Sequence, residues 1–151
     1  MSASMNPIYD PKTYCPREGL GFLLQRVRMA VLDDLDRELE PLGITAAQYV
    51  IMVRLAENES SSASGLCRGT SYDPGAMTRM IDRLERKGFV RRVRSADDRR
   101  KVDLELTPEG RAVHPKLIAA VVKVLNRRLS GFSGDEVNEL ESYLKRMLQC
   151  Q

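Results

Sequence analysis

The chain has no tryptophan, three phenylalanines and a single histidine, His114. With one imidazole, scattered cysteines and no glycine-rich phosphate loop, there is no triad, metal cluster or nucleotide site to assemble. An enzyme is therefore disfavoured, and no metal or cofactor is expected. The cysteines Cys15, Cys67 and Cys150 are odd in number, far apart and without a CxxC, so the expectation is three free thiols in a reducing compartment. No run of eighteen apolar residues exists, which excludes a membrane-spanning helix. The N-terminus has no basic-then-apolar signal segment, so a cytoplasmic protein is expected. There is no repeat, and the only low-complexity tract is Ser60-Ser61-Ser62.

What remains is a chain of 151 residues, 42% hydrophobic, 30% charged and 5% aromatic, which reads as one largely helical domain with a proper core. Its organising stretch is Ser71 to Thr107. Asp73 is a good N-cap, Pro74 suits the first helical position, and Gly88 suits the left-handed residue after the last turn. Tyr72 and Met77 can form a hydrophobic staple across that cap. Met77, Met80, Ile81 and Leu84 recur at helical spacing and face a core. Gly75, Thr78, Arg79, Asp82, Arg83 and Arg86 fall on the other side, with Gly75 and Thr78 small enough for close approach to another surface.

After Gly88 the period changes to that of strands, in 89–94 and 102–106, around a charged tip at 95–101. Ser71 to Lys101 holds ten Lys/Arg against five Asp/Glu, whereas the whole chain carries only +3. Positive charge is thus concentrated on one helix and one ribbon, the footprint of a reader of double-stranded DNA. Preceded by a short helix over Ala63–Gly69 and a turn at Gly69-Thr70-Ser71, this is a winged helix-turn-helix.

The flanks supply the rest. Residues 1–16 hold three of the seven prolines and read as an extended arm. A helix is predicted from Arg17 to Glu40, stopped by Pro41 and Gly43, and apolar on more than one side over its first half. Thr45-Ala46-Ala47-Gln48 is a capping box that opens the next helix, and Asn58–Ser62 a loop. Thr107-Pro108 starts a helix running to about Leu129, with Pro115 expected to kink it near His114. Ser133-Gly134-Asp135-Glu136 is a second capping box, stapled by Phe132 and Val137, opening a last helix to about Gln149. Long apolar stripes on the end helices, with no partner domain in the chain, predict a homodimer. The fold class is therefore mainly α with a small β-hairpin wing. Residues 17–151 form a single unit, with 45–107 as the DNA-binding lobe and 17–42 and 108–150 as dimerisation helices.

Asp98-Arg99-Arg100-Lys101-Val102-Asp103-Leu104-Glu105-Leu106-Thr107 fits the wing pattern D-x-R-x(5)-L-T, followed by Pro108-Glu109-Gly110. With Thr78–Gly88 as recognition helix and Leu42–Tyr49 leading into the second helix, the chain resembles the MarR (multiple antibiotic resistance regulator) family over about Leu20 to Leu148. The resemblance implies a triangular homodimer that represses nearby genes from a pseudo-palindromic operator, with the recognition helix in the major groove and Arg100 in the minor groove. It also implies an ion pair of Asp73 with Arg100 that sets the wing's angle. Ser71, Thr78 and Arg79 are then placed for base edges and nearby phosphates, and Arg83, Arg86 and Lys87 for phosphates, with Arg99 a further DNA contact on the wing.

The resemblance further implies release by a small organic effector, an aromatic acid or phenol, bound between the dimer helices and the DNA lobe. Arg17, Arg28, Arg37, Tyr49 and His114 are the candidate contacts, on helices the family places around that pocket. Thiol-based peroxide sensors of the family carry a reactive cysteine where this chain has Gly21. Cys15 lies six residues earlier, beside Arg17, and redox sensing through it stands as the alternative. Cys67 reads as core and Cys150 as part of a fraying terminus. Zinc sensing needs more histidines than the chain owns. A winged helix that binds protein instead of DNA is the remaining reading.

Overall fold

The computed structural model describes residues 7–57, 62–68, 70–95 and 101–149. In chain order the elements are α1 (Leu20–Leu39), a 3-10 turn (Glu40–Leu42), α2 (Ala46–Ala56), α3 (Ala63–Arg68) and α4 (Pro74–Arg86). The ribbon β1 (Val90–Arg94) and β2 (Val102–Leu106) follows, then α5 (Pro108–Arg128) and α6 (Gly134–Gln149). The fold is the expected one, mainly helical with a two-stranded antiparallel hairpin.

The boundaries follow from local chemistry. At Thr45 the side chain accepts from the Gln48 amide while Gln48 Oε1 accepts from the Thr45 amide, a closed capping box. Asp73 and Thr107 each accept from the amide three residues on, with proline next in line. Ser133 and Glu136 make the second reciprocal box at 2.7 and 3.2 Å. α4 ends on Gly88, whose φ of 76° lies where only glycine rests without strain. α5 runs unbroken through the exposed Pro115.

Two expectations need correction. α1 starts at Leu20, not Arg17; its N-cap is Gly19, and Arg17 sits in a turn in which the Glu18 and Gly19 amides donate to the Cys15 carbonyl. The arm is also not extended over its described part. Asp10 accepts from the Lys12 amide through its side chain and from the Thr13 and Tyr14 amides through its carbonyl, an Asx-type turn. Tyr9 and Tyr14 meet edge to face at 5.1 Å, and the end of the Tyr14 ring lies over Gly19.

The core joins Leu35 and Leu39 of α1, Ile51, Met52 and Leu55 of α2, and Leu66 of α3 to Met77, Ile81 and Leu84 of α4. Val90, Leu104 and Leu106 seal it from the ribbon, and Leu117, Ala120 and Val124 from α5. The ribbon register pairs Val90 with Leu106 and Arg92 with Leu104, so β2 buries alternate residues as its sequence requires. α6 buries no residue, and Leu140, Tyr143, Met147 and Leu148 on it are exposed. Leu20, Phe22, Leu23, Leu24 and Val27 of α1 and Ile118, Val122 and Leu125 of α5 are exposed too. These exposed apolar side chains lie on three helices, α1, α5 and α6.

Candidate nucleic-acid interface

α4 is amphipathic enough to stand as a ridge. Its buried side holds Met77, Ile81 and Leu84, while Ser71, Asp73, Gly75, Thr78, Arg79, Arg83 and Arg86 lie exposed at its start and along its outer side. The Ala76 amide holds the Asp73 carboxyl below the usual carboxylate range, helped by the Gly75 amide and the Arg79 guanidinium. An added Cβ on Gly75 would lie 3.1 Å from Asp73 Oδ1 and 3.4 Å from Arg79 Nη1, so the absence of a side chain lets the arginine fold over the cap. Thr78 Oγ1 donates to the Pro74 carbonyl at 2.9 Å. With its hydrogen committed, the hydroxyl offers outward only lone pairs and a methyl, which suit an amino group or a thymine methyl. Arg83 and Arg86 make no ion pair among the described residues and are the cations available to phosphates.

Lys87, expected at the phosphates, is exposed at the end of α4. Its ammonium donates to the Gly43 carbonyl and lies 3.5 Å from Gln48 Oε1. This contact ties the end of α4 to the start of α2. Arg99 and Arg100 fall outside the described residues, and with them the pair of Asp73 and Arg100.

A different ion cluster links wing and helix. Arg92 of β1 reaches across to α4, its Nη2 at 2.6 Å from Asp82 and its Nη1 on Glu85, while its amide donates to Glu85 Oε1 at 3.3 Å. Its affinity for its proton rises for the same reason, the Asp82 hydrogen bond first. Arg91 pairs across the ribbon with Glu105 at 2.9 Å. At the base of the ribbon Thr107 closes the corner. Its amide donates to the Phe89 carbonyl at 3.0 Å, and its hydroxyl donates to the Gly88 carbonyl at 2.5 Å while accepting from the Gly110 amide at 3.0 Å. Helical spacing alone puts Asp82 on the outer face as a bare charge. Its spacing of three from Glu85 is the available signal, but nothing local names Arg92 as the partner.

The effector candidates are not gathered. Arg17 lies in the turn before α1, Arg28 is exposed, and Arg37 is an exposed cation 3.4 Å from Asp34. Tyr49 is half-buried, and burial raises its phenol's pKa, with Glu57 adding to it. His114 is half-buried, with an Nε2 that is enclosed and has no hydrogen-bond partner among the described residues. Of the cavities, one of about 410 Å³ touches Arg37, beside Asp36, Glu40 and Gly43. A larger one of about 520 Å³ opens between α1, α5 and α6, walled by residues such as Val27, Val31, Leu125 and Leu140 and rimmed by Arg26, Arg128 and Glu141. Neither follows from the sequence. Cys15 is an exposed free thiol in a hollow of about 270 Å³ that Asp10 and Glu18 also line. Cys67 is half-buried against the core, and Cys150 lies outside the described residues. Among the described residues no cluster of three metal-ligating side chains occurs, and no helix is long and apolar enough to cross a membrane.

One buried acid escapes sequence reasoning entirely. Asp34 of α1 is 6% exposed and faces Arg128 of α5, whose Nε lies at 2.6 Å and whose Nη2 donates to the Ala30 carbonyl. The Arg128 hydrogen bond, with the charges of Arg128, Arg127 and Arg37, holds its carboxyl below the usual range. Lys123 and Arg127 join through Glu38, so the two long helices are laced by charge as well as packed.

Comparison with known proteins places this geometry. Residues 44–102 match the model of the MarR family. The chain is 35% identical over 130 residues to the multiple antibiotic resistance protein MarR of Escherichia coli (strain K12), covering 85% of this chain and 90% of that protein. The crystal structure of a mutant MarR from E. coli complexed with operator DNA superposes with a TM-score of 0.76 at 34% identity, over 85% of this chain and 93% of that one. CouR from Rhodococcus jostii RHA1, solved bound to p-coumaroyl-CoA, superposes at 0.77 and 27% identity, over 89% and 94%.

Proposed function

The chain belongs to the MarR family, and from that premise we propose that it is a homodimeric transcriptional repressor that binds a pseudo-palindromic operator and releases it when a small aromatic or phenolic carboxylate binds. The observation that carries the reading is the exposed outer side of α4, where Arg79, Arg83 and Arg86 stand beside the small Gly75 and Thr78. A helix so equipped can enter a major groove, reading bases from its first turns and holding phosphates from its last. In this reading 45–107 is the DNA lobe, Arg100 of the wing reaches the neighbouring minor groove, and Arg99 and Lys87 are further DNA contacts. Ser71 and Asp73 complete the front of the helix.

Residues 17–42 and 108–150 form the dimer arms, and their exposed leucines, valines and aromatics support that assignment. Two copies joined there set two α4 helices about one duplex turn apart. The names of the relatives are those of regulators, which supports a non-enzymatic protein that works where the DNA is, in the cytoplasm. The relative solved with p-coumaroyl-CoA supports an aromatic effector here, for which Arg17, Arg28, Arg37, Tyr49 and His114 remain the candidate contacts. The exposed thiol of Cys15 favours a second reading, release by oxidation.

The test is selection of duplexes from a random pool, followed by titration of the enriched duplex with aromatic acids, phenols and peroxide. Enrichment of two inverted half-sites about ten base pairs apart is expected, with release by an aromatic acid. A pool that stays random refutes DNA reading, and release by peroxide alone, abolished in Cys15→Ser, selects the thiol.

A further inference from the structure

We propose that Arg92 is the positioning residue of the wing: by bridging Asp82 and Glu85 it fixes the ribbon's angle to α4, so two acidic residues serve DNA binding. The inference rests on the DNA reading above. The ribbon leaves α4 through the short corner at Lys87, Gly88 and Phe89, where Gly88 is left-handed. The base of the ribbon is held by Val90, Leu104 and Leu106 in the core and by Thr107 on the Gly88 and Phe89 carbonyls. Among the described ribbon residues the core takes only Val90, Leu104 and Leu106, and Val102 toward the tip is 52% exposed.

Arg92 supplies the third point. In register with Leu104, it leans from the ribbon over the α4 side and holds two carboxylates one helical turn apart. The guanidinium is a rigid planar fork, so two acceptors define its orientation as well as its position, which a single ammonium cannot do. The Glu85 carboxylate also takes the Arg92 amide, so backbone and side chain of one wing residue are both fixed to α4. Asp82 and Glu85 stand near the face that must meet phosphates. Taken as solvated charges they oppose binding; taken as the seat of Arg92 they are needed for it.

The two roles differ in sign, which decides between them. Asp82→Asn removes a negative charge from the DNA side. Simple electrostatics makes its operator binding tighter, whereas the clamp makes it weaker, by roughly three- to thirtyfold when a coupling of this kind is broken. Arg92→Lys keeps the charge and loses the fork. If Arg92 only attracts phosphate, lysine retains affinity; as a clamp it loses nearly as much as Arg92→Gln.

The experiment measures binding by fluorescence anisotropy to the duplex that the wild type enriches from a random pool, with melting temperatures to show that each variant is folded. Weaker binding by Asp82→Asn and by Arg92→Lys is expected, at melting temperatures near that of the wild type. Equal or tighter binding by Asp82→Asn, or full affinity in Arg92→Lys, overturns the clamp. If Asp82→Asn is unfolded, Arg92→Lys alone decides. If the wild type enriches no duplex, the DNA reading fails and the clamp with it.

Discussion

Gly110→Ala tests the corner on which helix, wing and dimer arm meet, and intuition about helices has its sign wrong. Gly110 is the third residue of α5, where alanine is ordinarily favoured over glycine by up to about 1 kcal/mol. A Cβ built there, however, lies 2.1 Å from the Phe89 carbonyl oxygen and 3.0 Å from its carbon, atoms of the backbone that cannot rotate away. Relief requires the start of α5 to back off by about an ångström, overpacking that costs roughly 1–3 kcal/mol. That retreat stretches the Thr107 bonds to Phe89 and Gly88, now 3.0 and 2.5 Å, at about 0.5–1.5 kcal/mol each. Set against the propensity gain, the net is a loss of about 2–4 kcal/mol, a fall in melting temperature of roughly 5–15 °C for a chain this long. The control is Gly131→Ala, where a Cβ meets nothing within 4 Å; it should be neutral or gain about 0.4–1 kcal/mol through the unfolded chain. Urea unfolding of both variants against wild type measures the difference. A Gly110→Ala protein as stable as wild type refutes the close approach, and with it the explanation of why glycine follows the Leu-Thr of the wing.

Other expected outcomes bear on the site and its supports. Arg86→Ala lowers the slope of log affinity against log salt by about 1, because one phosphate is no longer neutralised. Lys87→Ala lowers that slope too and also costs about 1 kcal/mol of stability as its bond to Gly43 goes; an unchanged slope shows that it does not reach DNA. Asp34 has a folded pKa depressed below the ordinary 3.8 by Arg128, so its contribution to stability is full above that value and is lost as pH falls through the folded pKa. Asp34→Asn should therefore be less stable than wild type at pH 6 in thermal melts, with the gap closing in acid; a gap constant with pH refutes the ion pair. Leu140→Lys puts a charge on the exposed face of α6 and should turn dimer into monomer by sedimentation, with weaker operator binding; an unaltered dimer refutes that face as the joint.

Much of this architecture is local and so can be read from residues a few places apart. The capping pairs at Thr45 and Ser133, the Asp73-Pro74 and Thr107-Pro108 starts and the left-handed Gly88 each depend on neighbours within four positions. So does the strand period of 102–106, and the basic outer side of α4 follows from helical spacing alone. The start of α1 is not legible in this way, because the charged Arg17 and Glu18 after Pro16 suit a first helical turn as well as a loop, while the turn on the Cys15 carbonyl delays the helix to Leu20. The cavity between α1, α5 and α6 is not legible either, because its walls come from separate helices.

By itself the amino-acid sequence determined where most helices begin and end, which face of each is greasy, and that positive charge gathers on α4 and the ribbon. Only the tertiary structure decided which charge meets which: Arg92 with Asp82 and Glu85, Lys87 with Gly43, and Arg128 with Asp34 across 94 positions of chain. The reason is physical. A hydrophobic pattern is periodic and announces its direction, whereas long charged side chains are alike in sequence and take their roles from whatever folding brings within about 4 Å.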